Sequence, residues 1–254
     1  MSSLMIAVLG LSMVGTAFLS GVFGMAGGLV LIGILLALMP LPTAMVLHAV
    51  TQIASNAWRA FLWRAHISWR PVAVYVSGCV LALGLWSIIR YVPAKPVALI
   101  LLGVTPFMAR LTPRDLKPNP DSLWQGLFYG SVCMGLMLMT GVSGPLMQTF
   151  FLGGKFDRRG IVATKAACQV VSHFLKLIYF SDIISQAGTL DRRLALLGVA
   201  ASLLGTTLAR RVLQAMSDHQ FRTWANHLIT TVAGSYILYG LWLLAARSPL
   251  MAAF

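Results

Sequence analysis

Apolar residues run in long blocks along this chain: residues 4–39, 42–63, 70–89, 97–109, 123–152, 160–181, 194–209 and 224–246. A helix crossing a bilayer takes ~20 apolar residues, so most of these blocks predict a membrane span. The longest polar stretch, residues 110–122, predicts a loop, and no soluble domain is visible. Residues 1–22 have no basic start and no convincing cleavage site, so they read as membrane structure and not as a removed leader.

Two blocks depart from a plain span. Residues 4–39 are too long for one pass and carry Gly21, Gly24, Gly27 and Gly28 midway. Residues 123–152 carry Gly141-Val142-Ser143-Gly144-Pro145 past their middle. Glycine and proline interrupt helices. Each block therefore predicts two passes meeting at a broken turn, either a re-entrant hairpin or a span plus a short helix. The pieces after the breaks are short, 29–39 and 146–152. Backbone that leaves the helix at this depth must be buried in protein or line a watery cavity.

The two blocks belong to a repeat at an offset of 117 residues. Gly24, Gly27, Leu29 and Leu35 recur as Gly141, Gly144, Leu146 and Leu152. Ala49, Gln52 and Ser55 recur as Ala166, Gln169 and Ser172, while His48 and Arg59 become Lys165 and Lys176. Several of the matches are glycines or polar residues inside apolar runs, where chance would mostly pair Leu or Ala. Internal repeats are a building principle of transporters. The reading is an all-α polytopic membrane protein of two inverted repeats, each a broken or re-entrant helical segment plus three transmembrane helices. Residues 1–112 form the first repeat, 113–122 a cytoplasmic linker and 123–254 the second repeat.

Charge orients this arrangement. If each broken block returns to its starting side, one face collects Arg64, Arg70, Arg110, Arg114, Lys117, Lys155, Arg158, Arg159, Arg210, Arg211 and Arg222. The other keeps Arg90, Lys95, Arg192, Arg193 and Arg247. With each block as a single span the split is about even. The positive-inside rule favours the returning form, with both termini outside the cytoplasm.

Composition then narrows the chemistry. The chain is 58% hydrophobic, with nineteen Lys and Arg against six Asp and no Glu, and its first acid is Asp115. Spans that hold Arg, Lys and His but almost no carboxylates suit an anion better than a cation. The basic excess reads as positive-inside loops and attraction to anionic lipid, not as a nucleic-acid face. Cys79, Cys133 and Cys168 are scattered through apolar runs and read as packing residues. His48, His66, His219 and His227 have no partners at metal spacing, and no Gly-Lys-Ser/Thr follows the glycines, so neither a metal nor a nucleotide cofactor is expected.

Two features could hold an anion. A helix that begins at a break points free N–H groups and a partial positive charge at the turn. Gly27, Gly28 and Gly144 would let a ligand approach that backbone, Ser143 adds a hydroxyl, and Gly24, Gly141 and Pro145 complete the candidate site at the breaks. The competing reading is that small residues here only let helices pack closely. The second feature is a pair of polar stripes. Residues 52, 55, 56 and 59 share one helical face, as do 169, 172, 173 and 176. Gln52 and Asn56, then Gln169 and His173, lie toward mid-depth, and the stripes end in Arg59 and Lys176. Helix-to-helix hydrogen bonds, and snorkelling of the long basic chains, compete with substrate contact.

The run Gly24-Met25-Ala26-Gly27-Gly28, the stripe with Gln52, and His66-Ile67-Ser68-Trp69 before the next span resemble the TauE/SafE family of sulfite and organosulfonate exporters. Thr140-Gly141-Val142-Ser143-Gly144-Pro145 and Ala163-Thr164-Lys165-Ala166 are similar to it in the second half. The first half departs in carrying Met25 and Ala26 where the family often has a glycine run. The resemblance implies a multi-pass permease of the bacterial inner membrane that moves small sulfur-containing anions. The expected partners are such an anion and the lipid bilayer, with a homodimer left open. The function expected is a secondary transporter by alternating access. An anion channel is one alternative. An intramembrane enzyme or scaffold is another, but Ser172-His173 alone is a poor nucleophile–base pair, because adjacent helical residues point about 100° apart.

Overall fold

The computed structural model describes residues 3–23, 26–111, 118–152, 156, 158–184 and 192–246. Among the described residues every regular element is a helix. The first half holds α1 (Ser3–Phe23), α2 (Ala26–Leu38), α3 (Leu41–Leu62), α4 (Trp69–Ile89) and α5 (Lys95–Leu111). The second holds α6 (Leu123–Thr140), α7 (Gly144–Leu152), α8 (Arg158–Ile184), α9 (Arg192–Ala215) and α10 (Asp218–Ala245).

Both long apolar blocks are broken, as their glycines predict. The first ends α1 at Phe23 and resumes at Ala26. The second ends α6 at Gly141, whose φ of 87° is left-handed and whose N–H caps the Met137 carbonyl at 2.9 Å. Glycine takes that conformation without the penalty of a Cβ. Pro145 then sits in the first turn of α7, where no N–H is missed. The first break folds α2 back on α1: Gly27 lies directly against the Thr16 carbonyl and Ser20. Position 24, the repeat counterpart of Gly141, lies outside the described residues.

Among the described residues six helices, α1, α4, α6, α8, α9 and α10, are long and apolar enough to cross a membrane. The 22-residue α3 has the length but not the apolarity, because its polar stripe dilutes it. The stripe is hidden: α3 packs along α8, and the two helices turn their polar faces inward. The outside of the bundle is apolar instead, with Leu81, Leu85, Ile88, Trp124, Phe128, Leu196, Leu238 and Trp242 exposed. Water would penalise such a surface and lipid would not.

The remaining major pairings are α1 with α9, α4 with α6 and α5 with α10. Exchanging the first five helices for the last five, in order, carries α1–α9 into α6–α4 and returns α3–α8 and α5–α10 to themselves. Both exchanged contacts are seated on glycine. A Cβ on Gly205 would strike the Val14 carbonyl on α1, and Cβ atoms on Gly78 and Gly130 would strike the backbone of the facing helix. Small residues are the usual means of close helix approach where lipid gives no hydrophobic drive.

Candidate functional site

The inward stripes of α3 and α8 meet the two breaks around one small cavity. It is lined by Gly28, Leu29, Gln52, Val142, Ser143, Gly144, Pro145, Gln169 and His173. Its free volume is about 10 Å³, on the order of the room one water needs. The first turns of α2 and α7 both border it, so two helix N-termini face the same space.

Three polar atoms in this wall have no hydrogen-bond partner: Ser143 Oγ, Gln169 Oε1 and His173 Nδ1. Their residues are 0%, 6% and 2% exposed. A buried polar atom without a partner is unfavourable by ~1–3 kcal/mol. Three on one cavity make it a place suited to a polar ligand. Ser143 can donate, His173 can donate from whichever nitrogen carries the proton, and half a turn of the Gln169 amide presents its N–H₂.

The other sequence-predicted residues fall around this core in distinct ways. Gly28 is pressed by Gln52: a Cβ there would lie 3.0 Å from Gln52 Oε1. Asn56 is one turn behind the cavity, donating to the Gln52 carbonyl at 2.9 Å and accepting from Arg59 at 3.2 Å. Arg59 lines a separate cavity with Gly21, Trp63, Thr206 and Arg210. Gly27 faces α1, not the cavity, so it serves the packing of the hairpin. Gly141 shapes the second break from behind, against Ile32 and Met45. Gly24 lies outside the described residues.

Lys176 does not snorkel. It is fully buried, and its Nζ donates to the Gly141 carbonyl at 3.0 Å and meets His48 Nδ1 at 2.8 Å. His48 Nε2 lies 2.9 Å from the Gly28 carbonyl. One short chain of side chains therefore ties the first break to the second. His48 was legible in the sequence as the repeat counterpart of Lys165 and a source of positive potential, not as a link between the breaks. Leu29 and Val142, which also line the cavity, carry no polar signal. Lys165 hydrogen-bonds Gln148 of α7. Among the described residues no cluster of metal-ligating side chains occurs.

A helical bundle with a lipid-facing apolar exterior and a buried polar cavity at paired helix breaks is an integral membrane protein. The model of the Sulfite exporter TauE/SafE family matches residues 8–236, and the chain belongs to that family, whose members are membrane transporters and not enzymes. No curated protein and no solved structure matches the chain.

Proposed function

We propose that this protein is a secondary transporter, acting as an exporter, for a small sulfur-containing oxyanion such as sulfite or a short organosulfonate. The observation that carries this reading is that Ser143, Gln169 and His173, each with a buried polar atom lacking a partner, all line one cavity bordered by two helix N-termini. An oxyanion offers several acceptor atoms and a negative charge to such donors. No carboxylate occurs in the middle of any helix to repel it.

Alternating access is supported by the way the helix pairings exchange between halves. We read the halves as inverted repeats, because five helical passes with a returning α1–α2 hairpin leave an odd parity between them. Sulfite, with four heavy atoms, needs more room than the cavity has, so the halves must part for it to enter. That requirement favours a carrier over an open channel. The basic loops orient the protein in a bacterial inner membrane with its termini on the periplasmic side.

The test is flux in proteoliposomes holding the pure protein, with labelled sulfite, sulfoacetate, taurine and sulfate. Saturable flux with counterflow supports the carrier. Linear flux without counterflow makes it a channel, and no flux of any of the four removes the anion reading. A reporter fused after Phe254 that behaves as cytoplasmic would overturn the orientation and the inversion with it.

A further inference from the structure

We propose that the buried Lys176–His48 pair is the coupling site for a proton that travels with the anion. This rests on the anion-carrier reading and makes the flux electroneutral, so its direction follows the concentration gradients of anion and proton and not the membrane potential. The ground is geometric. Gly28 O can only accept, so His48 Nε2 carries a hydrogen. In neutral His48, Nδ1 is then a lone pair and Lys176 must donate to it. If His48 is instead doubly protonated, Lys176 must offer the lone pair. Two full charges would set N–H against N–H across 2.8 Å. The pair therefore holds either no charge or one, never two.

That single charge sits behind the cavity wall at both breaks. Gly28, which His48 holds, lines the cavity, and Gly141, which Lys176 holds, precedes the lining residue Val142. The His173 ring, itself in the wall, lies 5.4 Å from the His48 ring. A lone buried cation is strongly unfavourable, and an anion beside it relieves the penalty. Proton and anion thus stabilise each other's binding, and that coupling is reciprocal. One proton enters with the anion, resides between Lys176 Nζ and His48 Nδ1, and leaves on the opposite side with it. The pair cycles between neutral and +1, so a monovalent anion crosses without net charge.

The ionisable surroundings admit this role. From α8, His173 flanks the pair and Lys165 lies three turns away. From α3, Arg59 lies three turns beyond His48. From α4, Tyr75 and Cys79 approach by way of Ser172, Cys133 of α6 and Cys168 of α8 join that cluster, and Tyr179 lies one turn beyond Lys176. The α1, α2 and α7 helices contribute no ionisable side chain, and those of α9 lie at its ends.

The test is calorimetric titration of the full-length protein in detergent with methanesulfonate, whose charge does not change near neutral pH, and with sulfite after a blank correction. Titrations in two buffers of different ionisation enthalpy give the protons taken up per anion. The wild type should take up close to one proton on the alkaline side. Its affinity should fall by about tenfold per pH unit once the free pair is deprotonated. Lys176→Met should take up none and bind more weakly at every pH. His48→Gln leaves Lys176 an acceptor, so Lys176 should still take up a proton with the anion, over a pH range displaced from that of the wild type. His173→Gln should bind more weakly yet keep the proton count. Thermal melting identifies any variant that fails to fold, and the wild-type count stands without them. Anion binding with no proton uptake and no pH dependence overturns the coupling while leaving the carrier intact. No binding of either anion at any pH overturns both.

Discussion

The two helix breaks are counterparts by sequence, yet they face the cavity differently. At the second break Val142, Ser143, Gly144 and Pro145 all line it, while among the described residues of the first Gly28 and Leu29 do so. Gly27 is spent on contact with α1, and its repeat partner Gly144 borders the cavity. The same divergence appears in the stripes. Both glutamines line the cavity, Gln52 beside Gly28 and Gln169 with an oxygen that has no partner, and it is the cations that differ. Arg59 hydrogen-bonds within its own helix to Asn56, and its counterpart Lys176 reaches across to Gly141. A repeat thus fixes where backbone breaks and where polar side chains stand. It does not fix which copy packs and which copy presents open polar groups. In this molecule the first half supports and the second half exposes.

The sharpest way to break that comparison is at the glycines. Gly27→Val puts atoms into the Thr16 carbonyl and Ser20, where backbone cannot yield, so stability should fall by ~3 kcal/mol, the upper range for overpacking. Gly141→Ala adds the left-handed penalty of ~1–2 kcal/mol to contacts with Ile32 at 2.8 Å and Met45 at 3.0 Å. Both variants should lower the melting temperature of the detergent-solubilised protein. Gly144 opens α7 and lines the cavity, so Gly144→Ala should reduce transport and lower melting less than either of the other two. A Gly27→Val protein that melts normally but does not transport would return Gly27 to the cavity and restore the symmetry of the breaks.

The glutamines sharpen the comparison next. Gln169→Leu removes a group whose oxygen has no partner, so it should weaken anion binding by ~1–3 kcal/mol, the range for a hydrogen bond to a charged group. Its effect on stability should be small. Gln52→Leu should weaken binding less and disturb the contact with Gly28 more. Binding isotherms and melts of the two variants, side by side, decide it. Equal losses in binding would make the pair act symmetrically after all.

Much of this was legible beforehand, for physical reasons that can be named. The breaks were visible because glycine and proline stand out in apolar runs. The stripes were visible because a helix repeats every 3.6 residues, so Gln52 and Gln169 could be placed on inward faces. The division of Gly27 from Gly144 was not visible, because a small residue suits close packing and ligand approach alike. The bridge through His48 was hidden as well. Its partners Gly28 and Lys176 lie 20 and 128 residues away, and no local period reports a contact of that range. Lys176 was open to two readings because chain position alone cannot separate a snorkelling lysine from one bonded to a broken turn.

The smallest effect is the most discriminating, because its two readouts should move in opposite directions. Ser143 is fully buried and its hydroxyl has no partner. Ser143→Ala therefore removes no hydrogen bond from the empty protein and relieves the desolvation of that oxygen. Alanine also suits a position just before the first turn of α7 sterically, since the left-handed residue is Gly141, two places earlier. The variant should melt at the same temperature or slightly higher. Anion binding should weaken by ~1.5 kcal/mol, the lower end of the range for a hydrogen bond to a charged group. A helix-capping or packing role predicts the reverse, lower stability with binding unchanged. Ser20, whose hydroxyl is also buried without a partner but lies at the packed face of Gly27, supplies the control. Ser20→Ala should spare binding altogether. Equal losses of binding at Ser20 and Ser143 would mean that unpartnered hydroxyls in this bundle do not report the site, and the open face of the second half would lose its main support.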